Sequence, residues 1–290
     1  MSAGERVLVV GASGLVGSHL VRAARARGDT VTGAARTVTA DATLRVDLED
    51  RATLDAALDA VQPTLVALCS AWPHVDGCEK DPGRSHRENV QTVANAIAAT
   101  AGSRAALLWF STDHVFDGSR PRHGESDPVH PLNVYARHKR EAEALLEARG
   151  NALMCRTAWV WGAERARKNF VYRVLDAARA GKVLEVPRAQ SGCPTWAGWL
   201  APSALELLRL GQRGVLHLSG PELLTKAAWA RKIASAFGFK EFEAREVEWA
   251  QAGQVAPRPA SVALKSERHA LVQPPLDQLL LVHRESMLNL

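Results

Sequence analysis

A tyrosine and a lysine four residues apart are the first candidates for chemistry in this chain. Tyr135 and Lys139 lie in the sequence YARHK, which leads into EAEALLEAR, a stretch with the composition of a helix. A spacing of four places both side chains on one helical face. A cation beside a phenol favours the phenolate, so Lys139 is expected to lower the pKa of Tyr135 from its usual value of about 10. The pair predicts a general acid, and an ordinary surface helix is the alternative that the spacing alone leaves open.

Two further candidates, Thr112 and Asp113, follow an apolar run at residues 105–110 that predicts a buried strand. Both belong to the segment STDHVF, which starts at Ser111. Open α/β sheets bind their ligands outside the carboxyl ends of their strands. The sequence therefore predicts chemistry at Thr112 and Asp113.

A glycine-rich segment near the start of the chain predicts a nucleotide-binding turn. Residues 6–17 read RVLVVGASGLVG, and a stretch with helical spacing follows. A strand, a glycine turn and a helix in this order begin a βαβ unit, in which the glycines let the backbone approach a pyrophosphate on the amino end of the helix. A plain tight turn is the alternative. The cofactor-binding residues predicted here are Gly11, Ser13, Gly14, Leu15, Val16 and Gly17.

The end of the second predicted strand, residues 30–34, indicates which dinucleotide binds. Chains that bind NAD carry an acid about 20 residues beyond the glycines, where it accepts hydrogen bonds from the ribose. This chain has Arg36 in that region instead. A guanidinium suits the 2′-phosphate of NADP both as a charge and as a fork of donors. The pattern favours NADP, with NAD left open and a solvated surface arginine as the alternative.

Other predicted cofactor contacts follow two more strands. Residues 44–48 predict a third strand, near whose end Asp47 is placed to meet an adenine edge or to cap the next helix. Residues 64–69 predict a fourth, buried strand, and the loop after it is expected to pass over the cofactor. The residues predicted to bind the cofactor in these segments are Asp47, Leu48, Cys69, Ser70 and Ala71.

Composition excludes several classes of protein. The 290 residues are 47% hydrophobic and carry a formal net charge of +5, spread along the chain without interleaved aromatics, so nucleic acid is not an expected partner. The 4 cysteines form no CxxC pair and the histidines have no metal-ligand spacing, so no metal site or disulfide scaffold is expected. The absence of an export signal and of a long apolar run predicts a cytoplasmic protein with no membrane partner.

Strands that alternate with helices predict the fold. Six or seven strands in this pattern indicate an α/β protein with a doubly wound parallel sheet, the Rossmann arrangement, and a smaller carboxyl-terminal lobe. Residues 1–157 are expected to form the cofactor-binding domain, to which a segment around residues 190–220 returns. Residues 158–290 are expected to form mainly the substrate-binding lobe.

Read in order, the segments GASGLVG, STDHVFDG, YARHK, RTAWVWG, QSGCPT and APRPASVAL resemble the extended short-chain dehydrogenase/reductase family. Within it, the chain most resembles the dTDP-4-dehydrorhamnose reductase (RmlD-like) family, which reduces the 4-keto group of a nucleotide-linked deoxysugar with NADPH. The resemblance implies that Tyr135 gives a proton to the keto oxygen and that Thr112 hydrogen-bonds the same oxygen. It also implies that Lys139 binds the nicotinamide ribose and lowers the pKa of Tyr135.

The resemblance further implies a set of substrate contacts, with cations placed for a diphosphate: Asp113, Trp161, Lys168, Asn169, Gln190 and Arg258. Two positions depart from the family pattern, because His114 stands where the family usually has a tyrosine and Ala189 where an acid is common. Substrate identity is therefore left open, and so is a homodimer as the assembly.

Two other functions fit the same motifs. A non-catalytic NADP-binding subunit, similar to the regulatory subunit of methionine adenosyltransferase, would keep the nucleotide pocket without turnover. A nucleotide-sugar epimerase or dehydratase would use a bound cofactor transiently. A dehydratase needs an acidic pair after the threonine, but Asp113 is followed by His114.

Overall fold

The computed structural model describes residues 4–288, in which strands and helices alternate. The strands are β1 (Arg6–Val10), β2 (Thr30–Ala35), β3 (Leu44–Arg45), β4 (Leu65–Leu68), β5 (Ala106–Thr112), β6 (Ala152–Thr157), β7 (Val160–Trp161), β8 (Leu184–Pro187), β9 (Ser191–Gly192), β10 (Thr195–Trp196), β11 (Gly214–His217), β12 (Leu224–Thr225) and β13 (Ala244–Val247). The α-helices are α1 (Leu15–Ala26), α2 (Arg51–Val61), α3 (Val75–Lys80), α4 (Pro82–His86), α5 (Thr92–Ala99), α6 (Val134–Arg149), α7 (Phe170–Arg179), α8 (Ala197–Arg209), α9 (Lys226–Ala236) and α10 (Leu276–Leu288). A π-helical segment, Arg87–Gln91, precedes α5, and a 3₁₀ turn, Asp113–Val115, follows β5. None of the helices described here has the length and apolar composition that a bilayer crossing needs.

Seven of these strands form one parallel sheet, in the order β11-β6-β5-β4-β1-β2-β3. The strand order reverses between β1 and β4, which are neighbours in the sheet but far apart along the chain. A crevice at the carboxyl ends of the strands is expected at such a point. The predicted doubly wound parallel sheet is thus confirmed.

Helices cover both faces of the sheet, which explains the nearly continuous apolar sequences of its strands. On one face α1 and α8 pack against the sheet, with Leu20 and Leu200 fully buried. On the other face α2, α5 and α6 contribute residues such as Leu54, Val93 and Leu146. Strands buried on both sides hold their carboxyl ends in fixed positions, and the functional side chains lie there.

Two strands differ in length from the prediction, in ways that matter for the site. Strand β3 ends at Arg45 rather than at residue 48, because the chain turns there and the Asp50 carboxylate caps α2. Strand β5 continues to Thr112 rather than ending at residue 110, so the threonine is held by the sheet ladder opposite Thr157. Strand β11 pairs with β6 in parallel and so brings part of the segment around residues 190–220 back to the main sheet, as predicted.

A second, smaller core lies in the carboxyl-terminal part of the chain. Helices α7, α9 and α10 pack together around Trp161 and Trp229, which are each 1% exposed. The parallel pair β8 and β13 contributes Val186 and Ala244 to the same core. This part of the chain therefore has its own hydrophobic cluster, while α8 and β11 return to the main sheet.

Candidate active site and cofactor cavity

A cavity of about 440 Å³ opens where β1, β2 and β4 end. Its wall includes most of the residues predicted to bind a dinucleotide. Those that line it are Gly11, Ser13, Gly14, Arg36, Asp47, Leu48, Cys69, Ser70 and Ala71. Leu15 and Val16 begin α1 beside the cavity, and Gly17 is buried beneath the turn. We call this space the cofactor cavity.

Close backbone approach explains why glycines form the turn above this cavity. Gly11 has φ +88°, and a Cβ atom there would lie 2.7 Å from the backbone of both Cys69 and Ser70. A Cβ atom at Gly17 would collide with the carbonyl oxygen of Gly11. Residues with side chains cannot adopt this turn without strain. The turn thus holds the carboxyl end of β1 in close contact with the carboxyl end of β4.

The amino end of α1 faces the cofactor cavity and is not capped by the protein. Gly14 is its N-cap residue, and no side chain within residues 4–288 caps the helix there. The first amides of a helix and its positive dipole end attract anions. An uncapped helix end beside a glycine turn fits the pyrophosphate of a dinucleotide.

Arg36 lies on the cavity wall immediately after β2, and its side chain is 63% exposed. The Glu88 carboxylate is 4.0 Å from the guanidinium, at the limit of an ion pair. Most of the donor fork is therefore free to bind a ligand. This position fits a ribose 2′-phosphate better than a bare 2′-hydroxyl, because a guanidinium binds phosphate with two charge-assisted hydrogen bonds.

The proposed catalytic side chains meet at the carboxyl end of β5. Thr112 is the last residue of that strand, and Tyr135 lies in the first turn of α6. Both are nearly buried, at 6% and 9% exposure. Burial raises the pKa of the Tyr135 phenol above its ordinary value, and the nearby Thr112 hydroxyl partly offsets this. The tyrosine is thus protonated at neutral pH, as an acid must be.

Lys139 lies one turn further along α6 and points into the sheet. Its Nζ donates to the carbonyl oxygen of Phe110 at 2.6 Å and lies 3.7 Å from the centre of the Trp109 ring. Burial lowers the pKa of Lys139 to about 7. The expectation that Lys139 lowers the pKa of Tyr135 is corrected, because the ammonium bonds to β5 and burial dominates the phenol.

Asp113 and His114 follow Thr112 and line the same end of the sheet. Asp113 is 4% exposed, accepts from the Thr112 hydroxyl at 3.2 Å, and has its pKa raised by burial. The His114 ring meets Tyr135 edge to face at 6.1 Å between centres. Its buried Nδ1 has no partner among the described residues. The departure at His114 thus puts a neutral, unsatisfied ring nitrogen next to the phenol.

Trp159 and Trp161 lie in different surroundings. Trp161, predicted to contact substrate, is 1% exposed and packs against Trp196 and Trp229 in the carboxyl-terminal core. Trp159 has φ +41°, a rare conformation for a residue with a side chain. The Lys226 ammonium lies 3.5 Å from the centre of the Trp159 ring. The substrate contact predicted for Trp161 is therefore replaced by a packing role.

Lys226 is a functional candidate that the sequence did not reveal. Burial lowers its pKa to about 7, and Asp113 is one of the charges that act on it. Asp113 is the only carboxylate among the charges that act on it, and no ion pair of Lys226 is found within 4.0 Å among the described residues. The only signal in the sequence was its position at the start of a helix, directly after the N-cap Thr225.

The other predicted substrate residues have partners within the protein. Arg258 forms a two-point ion pair with Asp76, at 3.0 and 2.6 Å. Asn169 caps α7, and Gln190 bonds to Gln254. Lys168 lines the cofactor cavity rather than a separate substrate pocket. These arrangements leave fewer free cations for a diphosphate than the sequence suggested.

Sheet order, glycine turn and the tyrosine and lysine on α6 together define an NAD(P)-dependent oxidoreductase of the extended short-chain dehydrogenase/reductase class. A family model described as the RmlD substrate binding domain matches residues 5–275. The chain belongs to this family.

Similar proteins agree with this assignment. A dTDP-4-dehydrorhamnose reductase from Mycobacterium tuberculosis is 32% identical over 274 residues, which cover 92% of this chain and 87% of the relative. A dTDP-4-dehydrorhamnose reductase from Bacillus anthracis, solved in complex with NADP, superposes with a TM-score of 0.86 at 22% identity, covering 98% and 99% of the two chains. A UDP-glucose 4-epimerase from Thermotoga maritima, solved with UDP-glucose, has a TM-score of 0.83 at 16% identity and covers 98% of each chain. The two solved structures establish a shared fold.

Proposed function

We propose that this chain is an NADPH-dependent reductase of the 4-keto group of a deoxysugar carried on a nucleoside diphosphate. The observation that carries the proposal is the meeting of the Tyr135 phenol and the Thr112 hydroxyl at the end of β5. This end of the sheet adjoins the cofactor cavity, whose wall includes Cys69 and Ser70. The name of the relative from Mycobacterium tuberculosis supports the substrate class.

The proposed chemistry needs a proton donor at the keto oxygen. When bound, NADPH supplies a hydride to the carbonyl carbon. The negative charge that develops on the oxygen must be met by an acid or by aimed hydrogen bonds. Tyr135 gives the proton, and the Thr112 hydroxyl turns from Asp113 to donate its hydrogen bond to the same oxygen. Lys139 would hold the nicotinamide ribose and keep a positive charge near the reacting atoms.

The cofactor preference is assigned to Arg36. The guanidinium is proposed to bind the 2′-phosphate of NADP, and the uncapped end of α1 to bind the pyrophosphate. The NADP in the Bacillus anthracis structure supports this choice. Asp47 and Leu48 are proposed to line the adenine end of the cavity.

The division of labour between the two cores is also part of the proposal. Residues 1–157, together with α8 and β11, hold the cofactor, and most of the remaining chain recognises the sugar nucleotide. Asp113 and Lys226 are the proposed contacts to substrate, because both lie near Tyr135 at the carboxyl end of β5 and neither forms an ion pair within 4.0 Å among the described residues. Gln190 and Arg258 adjoin this region.

The test is NADPH oxidation against a panel of 4-keto deoxysugars linked to dTDP, UDP or GDP. NADPH deuterated at the transferred position should deliver its label to C4 of the sugar, in an amount equal to the NADPH consumed. An epimerase would give a sugar product without net NADPH consumption. Tight NADPH binding with no oxidation on any sugar would instead support the non-catalytic subunit and would refute the reductase. Light scattering on the same sample would report whether the chain is a homodimer.

A further inference from the structure

A buried ion pair lies directly behind the proposed catalytic residues. Glu143, on α6, is 0% exposed and Arg156, on β6, is 4% exposed. The guanidinium donates to the carboxylate through Nε at 2.8 Å and through Nη2 at 2.7 Å. Such a two-point pair fixes both the distance and the orientation of the two groups.

This pair is continued by a row of side chains across the sheet. Ser111 on β5, Arg156 on β6 and His217 on β11 are direct neighbours in register. The Ser111 hydroxyl donates to Glu143 Oε1 at 2.6 Å, and Arg156 Nη1 lies 3.4 Å from His217 Nε2. The pair is thus bonded to three neighbouring strands at once.

The hydrogen bonds of His217 fix which of its ring nitrogens carries the hydrogen. His217 Nδ1 faces the carbonyl oxygens of His123 and Lys265, each at 3.1 Å, so this nitrogen carries the hydrogen. Nε2 is then free to accept from Arg156. The positive end of the pair points toward β11 and the negative end toward α6.

The Glu143 carboxylate lies next to both α6 and β5, the elements that carry the proposed catalytic residues. Glu143 follows Lys139 by one helical turn, so the two side chains share a face of α6. Ser111 immediately precedes Thr112 on β5. The carboxylate therefore bonds to the neighbour of the threonine and acts on the lysine through its charge.

Lys139 needs such a charge because its surroundings favour the neutral amine. It is 2% exposed, and no carboxylate in the described part of the chain lies within 4.0 Å of it. The titratable groups that act on its pKa are Glu143, on its own helix, and Cys69, at the end of β4, while β5 offers only the Phe110 carbonyl and the Trp109 ring. Glu143 opposes the effect of burial.

Stability alone is a weak reason for this pair, because a buried ion pair can often be replaced by apolar side chains without loss. We propose that the Glu143–Arg156 pair is a positioning device, which fixes α6 against β5 and keeps the Lys139 ammonium charged. The inference rests on the proposed function for its role in catalysis. Its effect on Lys139 stands apart, because binding of NADPH to the full chain measures it without turnover.

The test compares Glu143→Gln with the wild-type chain. Glutamine keeps the shape of the side chain but removes its charge, so the pKa of Lys139 should fall further. The pH above which NADPH affinity and kcat/KM decline should then move down by about one unit. NADPH affinity is measured by calorimetry across the pH range. An unchanged pH profile in folded Glu143→Gln would overturn the proposal.

Two further variants separate charge from folding. Glu147→Gln removes the same charge one turn further along α6, from an exposed pair with Arg140 at 3.2 Å. Arg140 also lies 3.6 Å from Glu143, so this variant leaves every partner of Glu143 in place and should leave the pH profile unchanged. Glu143→Gln combined with Arg156→Met leaves no unpaired buried cation, so the double variant should fold even where the single one fails. Its pH profile should stay at the lower value. A double variant with the wild-type profile would show that the pair only packs the helix.

Measuring both NADPH binding and sugar reduction distinguishes a failure of the proposed function from a failure of the positioning role. If no sugar is reduced by wild type, the proposed function fails, but the shift in pH-dependent NADPH binding is still measured. If the sugar is reduced and binding in both charge-removed variants keeps the wild-type pH profile, the positioning role fails while the reductase stands.

Discussion

The two helices that build the site begin in opposite ways. At the start of α1, Gly14 has no side chain to cap the helix, and the open end faces the cofactor cavity. At the start of α6, the Asn133 side chain accepts from the amide of Ala136 at 2.8 Å, and the Glu79 carboxylate accepts from that of Val134 at 2.9 Å. One helix end is left for a ligand and the other is closed by the protein.

This difference follows from what each helix must hold. An anion can be bound by backbone amides alone, so α1 needs glycines and space rather than particular side chains. A proton donor has to be held within hydrogen-bond reach of its target, so α6 needs a fixed position for Tyr135. The caps and the buried Glu143–Arg156 pair provide that position. The cofactor half is therefore expected to fail through backbone changes, and the catalytic half through side-chain changes.

Tyr135→Phe should have the largest effect, and only on the catalytic side. Removal of the phenol hydroxyl takes away the proton donor, and general acid catalysis typically contributes about 10²–10⁴-fold to the rate. We expect kcat to fall by that factor with NADPH affinity unchanged, as measured by steady-state kinetics and calorimetry. The control is Tyr172→Phe, because Tyr172 is also nearly buried but lies on α7. A Tyr135→Phe protein as fast as wild type would remove the proposed acid.

Gly11→Ala should damage the cofactor side by a different route. The added Cβ atom would meet the backbone of Cys69 and Ser70 at 2.7 Å, at a φ of +88°. Left-handed strain of about 1–2 kcal/mol and overpacking of about 1–3 kcal/mol should both lower the free energy of unfolding. NADPH affinity should fall as well, because the turn moves. Urea unfolding and calorimetry measure the two effects.

Gly28→Ala is the matched control for this change. Gly28 has nearly the same φ, +87°, but no atom of residues 4–288 lies within 4 Å of its added Cβ. Only the conformational cost of about 1–2 kcal/mol should remain, with NADPH affinity unchanged. Equal losses of affinity at the two positions would contradict the close approach of β1 and β4 as the cause.

The same contrast explains which parts of the site were readable from the sequence. The strand, the glycine turn and the helix of the cofactor half are contiguous, so residues 6–17 predict both the fold and the binding site. Tyr135 and Lys139 share one helix, and their common face was predicted correctly. Local spacing carries this information because backbone geometry converts it directly into direction.

Contacts between distant segments could not be predicted in this way. Glu143 reads as one more surface charge in EAEALLEAR, and only the fold brings it to Arg156 and Ser111. The one signal was Arg156 itself, a charged residue inside an otherwise apolar strand. The substrate contact predicted for Trp161 failed for a related reason, since its packing against Trp196 and Trp229 joins segments that are distant in the sequence.

Arg36→Gln should sharpen the comparison, because it tests a side chain on the backbone-dominated side. A hydrogen bond to a charged group contributes about 1.5–3 kcal/mol, so the preference for NADPH over NADH should fall roughly 10-fold to 150-fold. The ratio of kcat/KM for the two cofactors measures this change. Arg51→Gln removes an exposed arginine paired with Asp55 at 3.3 Å, and should leave the ratio unchanged. An unchanged ratio in Arg36→Gln would refute the assignment of the 2′-phosphate.

Asn133→Ala should have the smallest of these effects and should separate the two helix ends most directly. The change removes the cap of α6 and also the donor to the Pro257 carbonyl at 2.8 Å, and the site is fully buried. Loss of an N-cap costs about 0.5–2 kcal/mol, and the complete burial of the Asn133 side chain places this case at the upper end. Asp50→Ala removes the more exposed cap of α2 and should cost less. Urea unfolding measures both losses.

In Asn133→Ala, kcat should fall by less than about tenfold while NADPH affinity stays constant, because the uncapped end of α1 is untouched. A loss of NADPH affinity as large as the loss of kcat would mean that the two helix ends are not independent.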